Sequence, residues 1–369
     1  MAANLLVEGG IIVAATLAIW KGSDWLESSS EQLSTYYGLP QVVQGAIVVA
    51  VGSSFPELAT VVVAAIGGSM PLGVGAIVGS AIFNILVIPA VAGIATEDDI
   101  ESNRTLVYKE AQFYMLAVSV LLITFAMAVI YYPGGPSLTG DVTRPLALLP
   151  LGLYGLYIFI QYQDTADHQT TDDGGDIAVG RQWLLLLAGL GVILVAVESL
   201  VHSVGVIGRA AGIQEFLLGV TILAAATSLP DTLVSLRAAK DDRGVTSLAN
   251  VLGSNTFDLL VAIPLGVLIA GTWTVDFAMA VPMFAILTGA TILLFTALRT
   301  DLLLSTVESY ALLGAYLAFV GWVVVESLGL VTGVLPAWDT GQNTRSRHAF
   351  ECLPWSETDV RRLRRRHDG

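Results

Sequence analysis

The sequence has little charge and almost no cysteine. Only 13% of its 369 residues are Asp, Glu, Lys or Arg, about half the usual share in soluble domains. A soluble domain of this length needs far more charge to cover its surface. The single cysteine, Cys352, cannot form a disulfide within the chain or a cysteine-based metal site. The composition therefore excludes one soluble core.

Long apolar runs take the place of the missing charge. Hydrophobic residues make up 54% of the chain, and many runs reach the roughly 20 residues that a helix needs to cross a bilayer. We therefore predict an all-α, multi-pass protein of the cell membrane, with the lipid bilayer as its surroundings. The predicted spans are residues 5–29, 40–66, 71–95, 106–131, 144–162, 182–207, 213–238, 245–271, 277–298 and 302–330.

The chain repeats itself at an offset of 174 residues, and the polar positions agree best. The matched pairs are Ala50 and Ala224, Ser53 and Thr227, Ser54 and Ser228, Pro56 and Pro230, Glu57 and Asp231, Ser80 and Ser254, and Asn84 and Asp258. Five predicted helices separate equivalent points, and an odd number turns the second copy upside down. Inverted repeats with Pro-interrupted helices are typical of secondary transporters, whose ion site lies near the membrane centre.

The repeat divides the chain into four predicted segments. Residues 1–162 form the first inverted repeat, with helices one to five, and residues 182–335 form the second, with helices six to ten. An acidic linker loop covers residues 163–181. Residues 336–369 form a polar, Arg-rich tail that is predicted to be disordered.

The matched polar residues indicate a cation site. Glu57 lies in an otherwise apolar span, where a charge costs about 2.5–3.5 kcal/mol on insertion scales, so such residues usually mark an ion pathway. Ser53 and Ser54 share its helix face. Pro56 has no N–H to donate, which frees the carbonyl of Gly52. The second copy repeats this arrangement with Thr227, Ser228, Pro230 and Asp231.

The next helix of each copy adds two more oxygen donors at a spacing of one helical turn. Ser80 and Asn84 lie in the first copy, and Ser254 and Asp258 lie in the second. All candidate ligands are hard oxygen donors, and no His or Cys joins them. Such a set suits Ca²⁺, which takes about six to eight oxygens in flexible geometry, and it also suits Na⁺.

Other conspicuous residues favour a structural interpretation. Gly73, Gly75 and Gly79 are typical of close helix packing in membranes. Asp24 and Glu198 precede the two sites, and we expect a structural or helix-end role for them. Small hydroxyl residues also pack membrane helices, but packing does not require the same polar residue at the same offset in both halves.

The motifs resemble those of the cation/calcium exchanger superfamily, and of its sodium/calcium exchanger family in particular. That family has two inverted repeats of the form G-S/T-S-x-P-E/D followed by G-S-N/A-x-F-N/D. The matching segments here are residues 52–57 with 79–84, and residues 226–231 with 253–258. The resemblance covers residues 5 to 330 or so.

The resemblance implies an antiporter rather than an enzyme, with no cofactor and with Ca²⁺ and Na⁺ as transported ions. It implies ten transmembrane helices in two inverted five-helix repeats, with broken helices at the ion site and sliding of the first and sixth helices. Glu57 and Asp231 would be the central calcium ligands, completed by Asn84 and Asp258. Further oxygens would come from the side chains of Ser53, Ser54, Ser80, Thr227, Ser228 and Ser254, and from the carbonyls of Ala50 and Ala224.

Several alternatives stay open. The combination of Asp231 and Asp258 is similar to the potassium-dependent branch, so K⁺ co-transport is one of them. A Ca²⁺/H⁺ antiporter is another, because carboxylates alone can exchange Ca²⁺ for protons, although the hydroxyls and Asn84 favour Na⁺. An intramembrane aspartyl protease would need a Gly-x-Gly-Asp setting that the sequence lacks. We predict no nucleic-acid ligand and no obligate protein partner.

Overall fold

The structure is a computed structural model that describes residues 2–37, 50–96, 99–104, 106–135, 138–165, 177–213 and 215–327. The start of the second predicted span, most of the acidic linker and the whole Arg-rich tail with Cys352 lie outside these residues. The described chain is almost entirely helical. Helices dominate because a backbone in lipid must satisfy its own hydrogen bonds.

The described part of the first half contains six α-helices, one π-helix and two strands. In chain order these are α1 (Ala2–Tyr36), α2 (Ala50–Ser53), α3 (Phe55–Ile66), α4 (Met70–Ala95), β1 (Ile100–Glu101), π1 (Leu106–Glu110), α5 (Ala111–Tyr131), β2 (Thr139–Thr143) and α6 (Arg144–Thr165).

Over residues 177–213 and 215–327, the second half contains eight α-helices, two π-helices and two strands. In chain order these are α7 (Val179–Ala211), α8 (Glu215–Leu218), π2 (Gly219–Leu223), α9 (Ala224–Thr227), α10 (Leu229–Lys240), α11 (Gly244–Phe257), π3 (Asp258–Ala262), α12 (Ile263–Ala270), β3 (Thr272–Asp276), α13 (Phe277–Arg299), β4 (Leu303–Leu304) and α14 (Thr306–Ser327).

Eight described helices are long and apolar enough to cross a membrane. A ninth span results if Glu215–Thr227 and Leu229–Lys240, which meet at a 44° bend, are counted together. The second predicted span, 40–66, is represented by α2 and the shorter apolar α3, because residues 38–49 lie outside the described chain. The prediction of a multi-pass helical membrane protein is confirmed.

Two equivalent spans form the centre of the bundle. In the apolar 18-residue segment of Met70–Ala95, 83% of the residues are buried, and in that of Gly244–Ala270 the share is 78%. By contrast, only 17% of the corresponding segment of α1 and 28% of that of α7 is buried, and these two helices pack along each other. The polar sequence motifs therefore lie on the central helices and on the broken helices beside them.

Glycines bring the central helix α4 very close to its neighbours. A Cβ atom on Gly75 would collide with the carbonyl oxygen of Phe216, and one on Gly79 would collide with that of Val220. A Cβ on Gly73 would lie 2.9 Å from the methyl group of Ala64. The predicted packing role of these three glycines is confirmed, since small residues let membrane helices approach closely.

Two short antiparallel strand pairs connect distant parts of the chain. β1 pairs with β4 through Ile100 and Leu304, and β2 pairs with β3 from Thr139 and Asp276 to Thr143 and Thr272. No strand was predicted from the sequence. The paired residues are at least 129 positions apart in the chain, and local patterns do not reveal such pairing.

Asp24 lies inside α1 rather than at a helix end, because α1 continues to Tyr36, past the predicted boundary at residue 29. Its carboxylate contacts Lys21 at 2.7 Å and Arg237 of α10 at 3.6 Å. Glu198 is exposed on α7. Of the two expected roles, structural or helix-end, Asp24 therefore has the structural one.

We expect Gly75→Ala to lower the thermal midpoint of the detergent-purified protein. The added methyl group would meet the backbone of Phe216, which cannot rotate away, and such overpacking typically costs about 1–3 kcal/mol. Gly289→Ala is the matched control, because Gly289 is exposed on α13 with no described atom within 4 Å of the new methyl group. Equal midpoints for both variants would contradict the close contact.

Candidate functional site

Two equivalent helix breaks form the framework of the site. Ser54 separates α2 from α3 with φ −91° and ψ 9°, and Ser228 separates α9 from α10 with φ −80° and ψ 0°. A proline follows each break, at Pro56 and Pro230, in the first turn of the new helix, where its missing N–H does no harm. Each break therefore places the end of one helix beside the start of the next.

The breaks position one carboxylate each. Glu57 and Asp231 lie in the first turn of α3 and α10, where the helix dipole favours a negative charge. The local fold thus places one buried carboxylate just after each break.

All ten side-chain ligands predicted from the sequence are buried inside the protein. None is more than 1% exposed, so none faces lipid. The ten are Ser53, Ser54, Glu57, Ser80, Asn84, Thr227, Ser228, Asp231, Ser254 and Asp258.

The first cluster surrounds one oxygen of Glu57. Ser80 Oγ of α4 lies 3.5 Å from Glu57 Oε1, and Ser228 Oγ lies 3.3 Å from the same atom. The two hydroxyl oxygens are 2.7 Å apart. This triangle combines residues of both repeats around a single carboxylate oxygen.

The second cluster surrounds Asp231 in a related way. Ser254 Oγ of α11 donates to Asp231 Oδ1 at 3.2 Å, and Asn84 Nδ2 of α4 donates to Oδ2 at 3.3 Å. Ser53 Oγ lies 3.2 Å from Ser254 Oγ. The pairs Ser80 with Glu57 and Ser254 with Asp231 are equivalent at the 174-residue offset, so the repeat in the sequence is also a repeat of contacts.

Several buried oxygens of the predicted ligands lack a hydrogen-bond partner within the described part of the chain. They are Ser54 Oγ, Glu57 Oε2, Asn84 Oδ1 and both carboxylate oxygens of Asp258. Buried polar atoms are normally paired, so unpaired ones indicate a role outside ordinary folding. All five are oxygens, the donor type that binds alkali and alkaline-earth cations.

Within the described residues, no basic side chain neutralises the negative charge of the site. Asp258 is close enough to Glu57 and Asp231 for their charges to interact. Among the described ion pairs none brings Lys or Arg to these three residues. Buried carboxylates without a partner are strongly unfavourable, and a bound cation would remove that cost.

Serines and an asparagine separate the acids. Over the described ranges, no three Asp, Glu, His or Cys side chains come close enough to hold a metal ion by themselves. A cation at the centre would therefore need hydroxyl and amide oxygens in addition to carboxylates.

Two kinds of predicted ligand have a different local environment. The Thr227 hydroxyl donates to the carbonyl of Leu223 at 3.1 Å, so its proton is used within the helix. The carbonyl of Ala224 accepts the amide of Ser228 at 3.0 Å and also lies 3.4 Å from the Thr227 hydroxyl. Ala50 is the first described residue of α2.

Two residues near the site escaped the sequence interpretation. Asn255 is fully buried beside Asn84, but its counterpart in the first repeat is Ala81, so the repeat comparison gave no signal. Glu27 of α1 is largely buried and its charge interacts with that of Asp231. A carboxylate inside the first predicted span, 5–29, was the signal that could have identified it.

Comparisons with known proteins agree with this geometry. A model of a family described as "Sodium/calcium exchanger protein" matches residues 8–163 and 181–325. An uncharacterised membrane protein of Methanocaldococcus jannaschii is 30% identical over 71% of this chain and 82% of its own length. The sodium/calcium exchanger MaX1 of Methanosarcina acetivorans is 23% identical over 69% of this chain and 81% of its own.

Solved structures share the fold. A structure of the sodium-calcium exchanger NCX_Mj soaked with Na⁺ and Sr²⁺ aligns with a TM-score of 0.59 at 23% identity. The alignment covers 86% of this chain and 98% of that one. At this identity the likeness speaks to the fold alone.

We expect Asp258→Asn to raise the thermal midpoint of the purified protein in buffer free of metal cations. The change removes the electrostatic repulsion of a fully buried carboxylate by Glu57 and Asp231, and an uncompensated buried polar group typically costs about 1–3 kcal/mol. Glu110→Gln is the contrast, because Glu110 accepts hydrogen bonds from Tyr157 at 3.2 Å and Gln161 at 2.8 Å. The same acid-to-amide change should lower the midpoint there. A lowered midpoint for Asp258→Asn would contradict an uncompensated charge.

Proposed function

Because the chain belongs to the sodium/calcium exchanger protein family, we propose that it is a secondary active antiporter that exchanges Ca²⁺ for Na⁺ by alternating access. One observation carries the proposal. The charges of three fully buried carboxylates, Glu57, Asp231 and Asp258, interact with one another, and no described basic side chain pairs with them. Several oxygens of the site also lack a described hydrogen-bond partner. A site with this charge favours a divalent cation.

The oxygen set explains exchange. Glu57 and Asp231 together can neutralise one Ca²⁺, with Asn84 and Asp258 at the centre. The flanking oxygens can divide the same carboxylates among several Na⁺ ions, so that occupancy by one ion type excludes the other. In this proposal the flanking oxygens are the side chains of Ser53, Ser54, Ser80, Thr227, Ser228 and Ser254 and the carbonyls of Ala50 and Ala224.

We further propose ten transmembrane helices in two five-helix repeats, 1–162 and 182–335, joined by the linker 163–181. The short helices α2 and α3 break at Ser54 as α9 and α10 break at Ser228, which supports counting each pair as one broken span.

The strand pairs support an inverted arrangement of the repeats. β1 and β2 precede and follow the helix Leu106–Tyr131, and β3 and β4 precede and follow Phe277–Arg299. Since β1 pairs with β4 and β2 with β3, the start of each helix meets the end of the other. Helices at equivalent places in the two repeats therefore run in opposite directions.

Alternating access is assigned to α1 and α7. These helices pack against each other at Gly22 and Gly189, where a Cβ on Gly22 would lie 3.1 Å from the carbonyl of Gly189. Few residues in the apolar segments of both helices are buried. Two helices with so little buried surface can slide across the central helices with little change in packing.

The third carboxylate, Asp258, supports K⁺ co-transport as a further part of the proposal. Human sodium/potassium/calcium exchanger 5 is 23% identical over 69% of this chain. A putative antiporter, CaxA of Alkalimonas amylolytica, is 27% identical over 84% of it. The transported counter-ion is therefore a matter for direct measurement.

We expect Glu57→Gln and Asp231→Asn each to abolish Ca²⁺ transport while the protein still inserts. Each variant removes one carboxylate charge from a fully buried site. Loss of one partner of a buried ion pair, here the carboxylate that would face the cation, costs about 3–5 kcal/mol, so transport should fall at least about a hundredfold. Glu101→Gln is the control, because Glu101 is exposed in β1. Retained transport in both site variants would end the site assignment.

The counter-ion is tested with purified protein in liposomes, by uptake of radioactive Ca²⁺. Uptake driven by an outward Na⁺ gradient, and not by a pH gradient of equal size, is expected. Uptake driven only by the pH gradient would replace Na⁺ by H⁺. Uptake that requires K⁺ on the same side as Ca²⁺ would assign K⁺ co-transport.

Cysteine labelling tests the inverted topology. In a Cys352→Ser background, we expect Glu101→Cys and Asp301→Cys to react from one side of the membrane, and Leu138→Cys and Thr272→Cys from the other. All four positions are exposed at the ends of helices, and the strand pairs fix which ends meet. Labelling of positions 101 and 272 from the same side would contradict inversion.

A further inference from the structure

The side chain of Asn255 links three helices next to the site, namely its own α11 and the helices α4 and α5. It is fully buried on α11, directly after Ser254. Its Nδ2 donates to the carbonyl of Ala81 at 3.1 Å and to the Tyr114 hydroxyl at 3.4 Å. Its Oδ1 accepts from Asn84 Nδ2 at 3.0 Å. Every hydrogen of the amide therefore has a partner.

These bonds fix the orientation of both amides. A backbone carbonyl can only accept, so the Ala81 oxygen requires Nδ2 of Asn255 on its side. Oδ1 of Asn255 then faces Asn84, which must present its own Nδ2. The second hydrogen of that Nδ2 reaches Asp231 Oδ2 at 3.3 Å, which also only accepts when ionised.

The consequence lies on the opposite side of the Asn84 amide. With both hydrogens used, Asn84 Oδ1 points away from Asn255 and has no hydrogen-bond partner among the described residues. In the reverse orientation a positively polarised NH₂ group would take its place. We propose that Asn255 is a positioning residue that holds the Asn84 carbonyl oxygen towards the transported cation, a proposal that rests on the exchange function above.

The network extends from the site to α5. Tyr114 of α5 is fully buried, and its hydroxyl accepts a hydrogen bond from Asn255 at 3.4 Å. The orientation of Asn84 is thus anchored in a helix that contributes no predicted ligand.

Only the second repeat carries an asparagine at this position, so the positioning role belongs to the second repeat alone. The residue equivalent to Asn255 is Ala81, which contributes its carbonyl oxygen to the network. Asn255→Ala therefore places in the second repeat the residue that the first already carries. Helix propensity is not reduced by this change, since alanine is the best helix former.

The test measures Na⁺-driven Ca²⁺ uptake by the full chain in liposomes. Asn255→Ala should raise the KM for Ca²⁺ about tenfold, the effect of losing one buried hydrogen-bond partner, and should leave the maximal rate within about twofold. Asn255→Ser keeps one hydroxyl acceptor for Asn84 and should give an intermediate KM. Asn250→Ala is the matched control on the same helix, because Asn250 bonds Ser235 outside the site at 3.1 Å.

A double-variant cycle separates positioning from general support. If Asn255 acts through Asn84, Asn255→Ala should have no further effect on KM in an Asn84→Ala background. An unchanged KM in Asn255→Ala, or an equal rise in KM in both backgrounds, would overturn the proposal. If Asn255→Ala does not fold, the same comparison is made with Asn255→Ser. Wild-type protein without Na⁺-driven Ca²⁺ uptake would instead refute the exchange function.

Discussion

Three carboxylates share a buried, low-dielectric centre with no described basic side chain to neutralise them. This imbalance of charge makes sense of features that would otherwise be defects. Unpaired oxygens and helices broken at Ser54 and Ser228 cost stability in a protein without a ligand. Under the proposed function, a cation bound at the centre would make these features favourable.

The fold holds this centre by using one design twice. The central spans Met70–Ala95 and Gly244–Ala270 are the most buried ones, and each contributes a serine that contacts the acid of its own repeat. The copies are not identical, however. Asn84 lies in a continuous helix, whereas Asp258 begins the π-helix π3, a feature often found at functional sites. At this equivalent position the first repeat therefore carries an amide and the second a carboxylate.

Much of this could be predicted from the sequence, because membranes impose simple rules. Apolar runs revealed most spans, and the repeated polar residues revealed the candidate ligands, since packing alone does not repeat polar residues at one offset. The end of α1 was missed because the helix continues to Tyr36 through a polar stretch, in which Ser34 and Thr35 bond their hydroxyls to the carbonyl of Glu31. Asn255 lies within the repeated motif, but its role and that of Tyr114 come from contacts between distant helices, which the motif does not specify.

Anomalous diffraction from crystals soaked with Sr²⁺, a heavier ion with the charge and oxygen preference of Ca²⁺, would locate the cargo directly. The account predicts one strong peak between the two helix breaks, within about 2.3–2.8 Å of oxygens from both Glu57 and Asp231. A transport-competent protein whose peak lies elsewhere, or touches only one of these carboxylates, would contradict it.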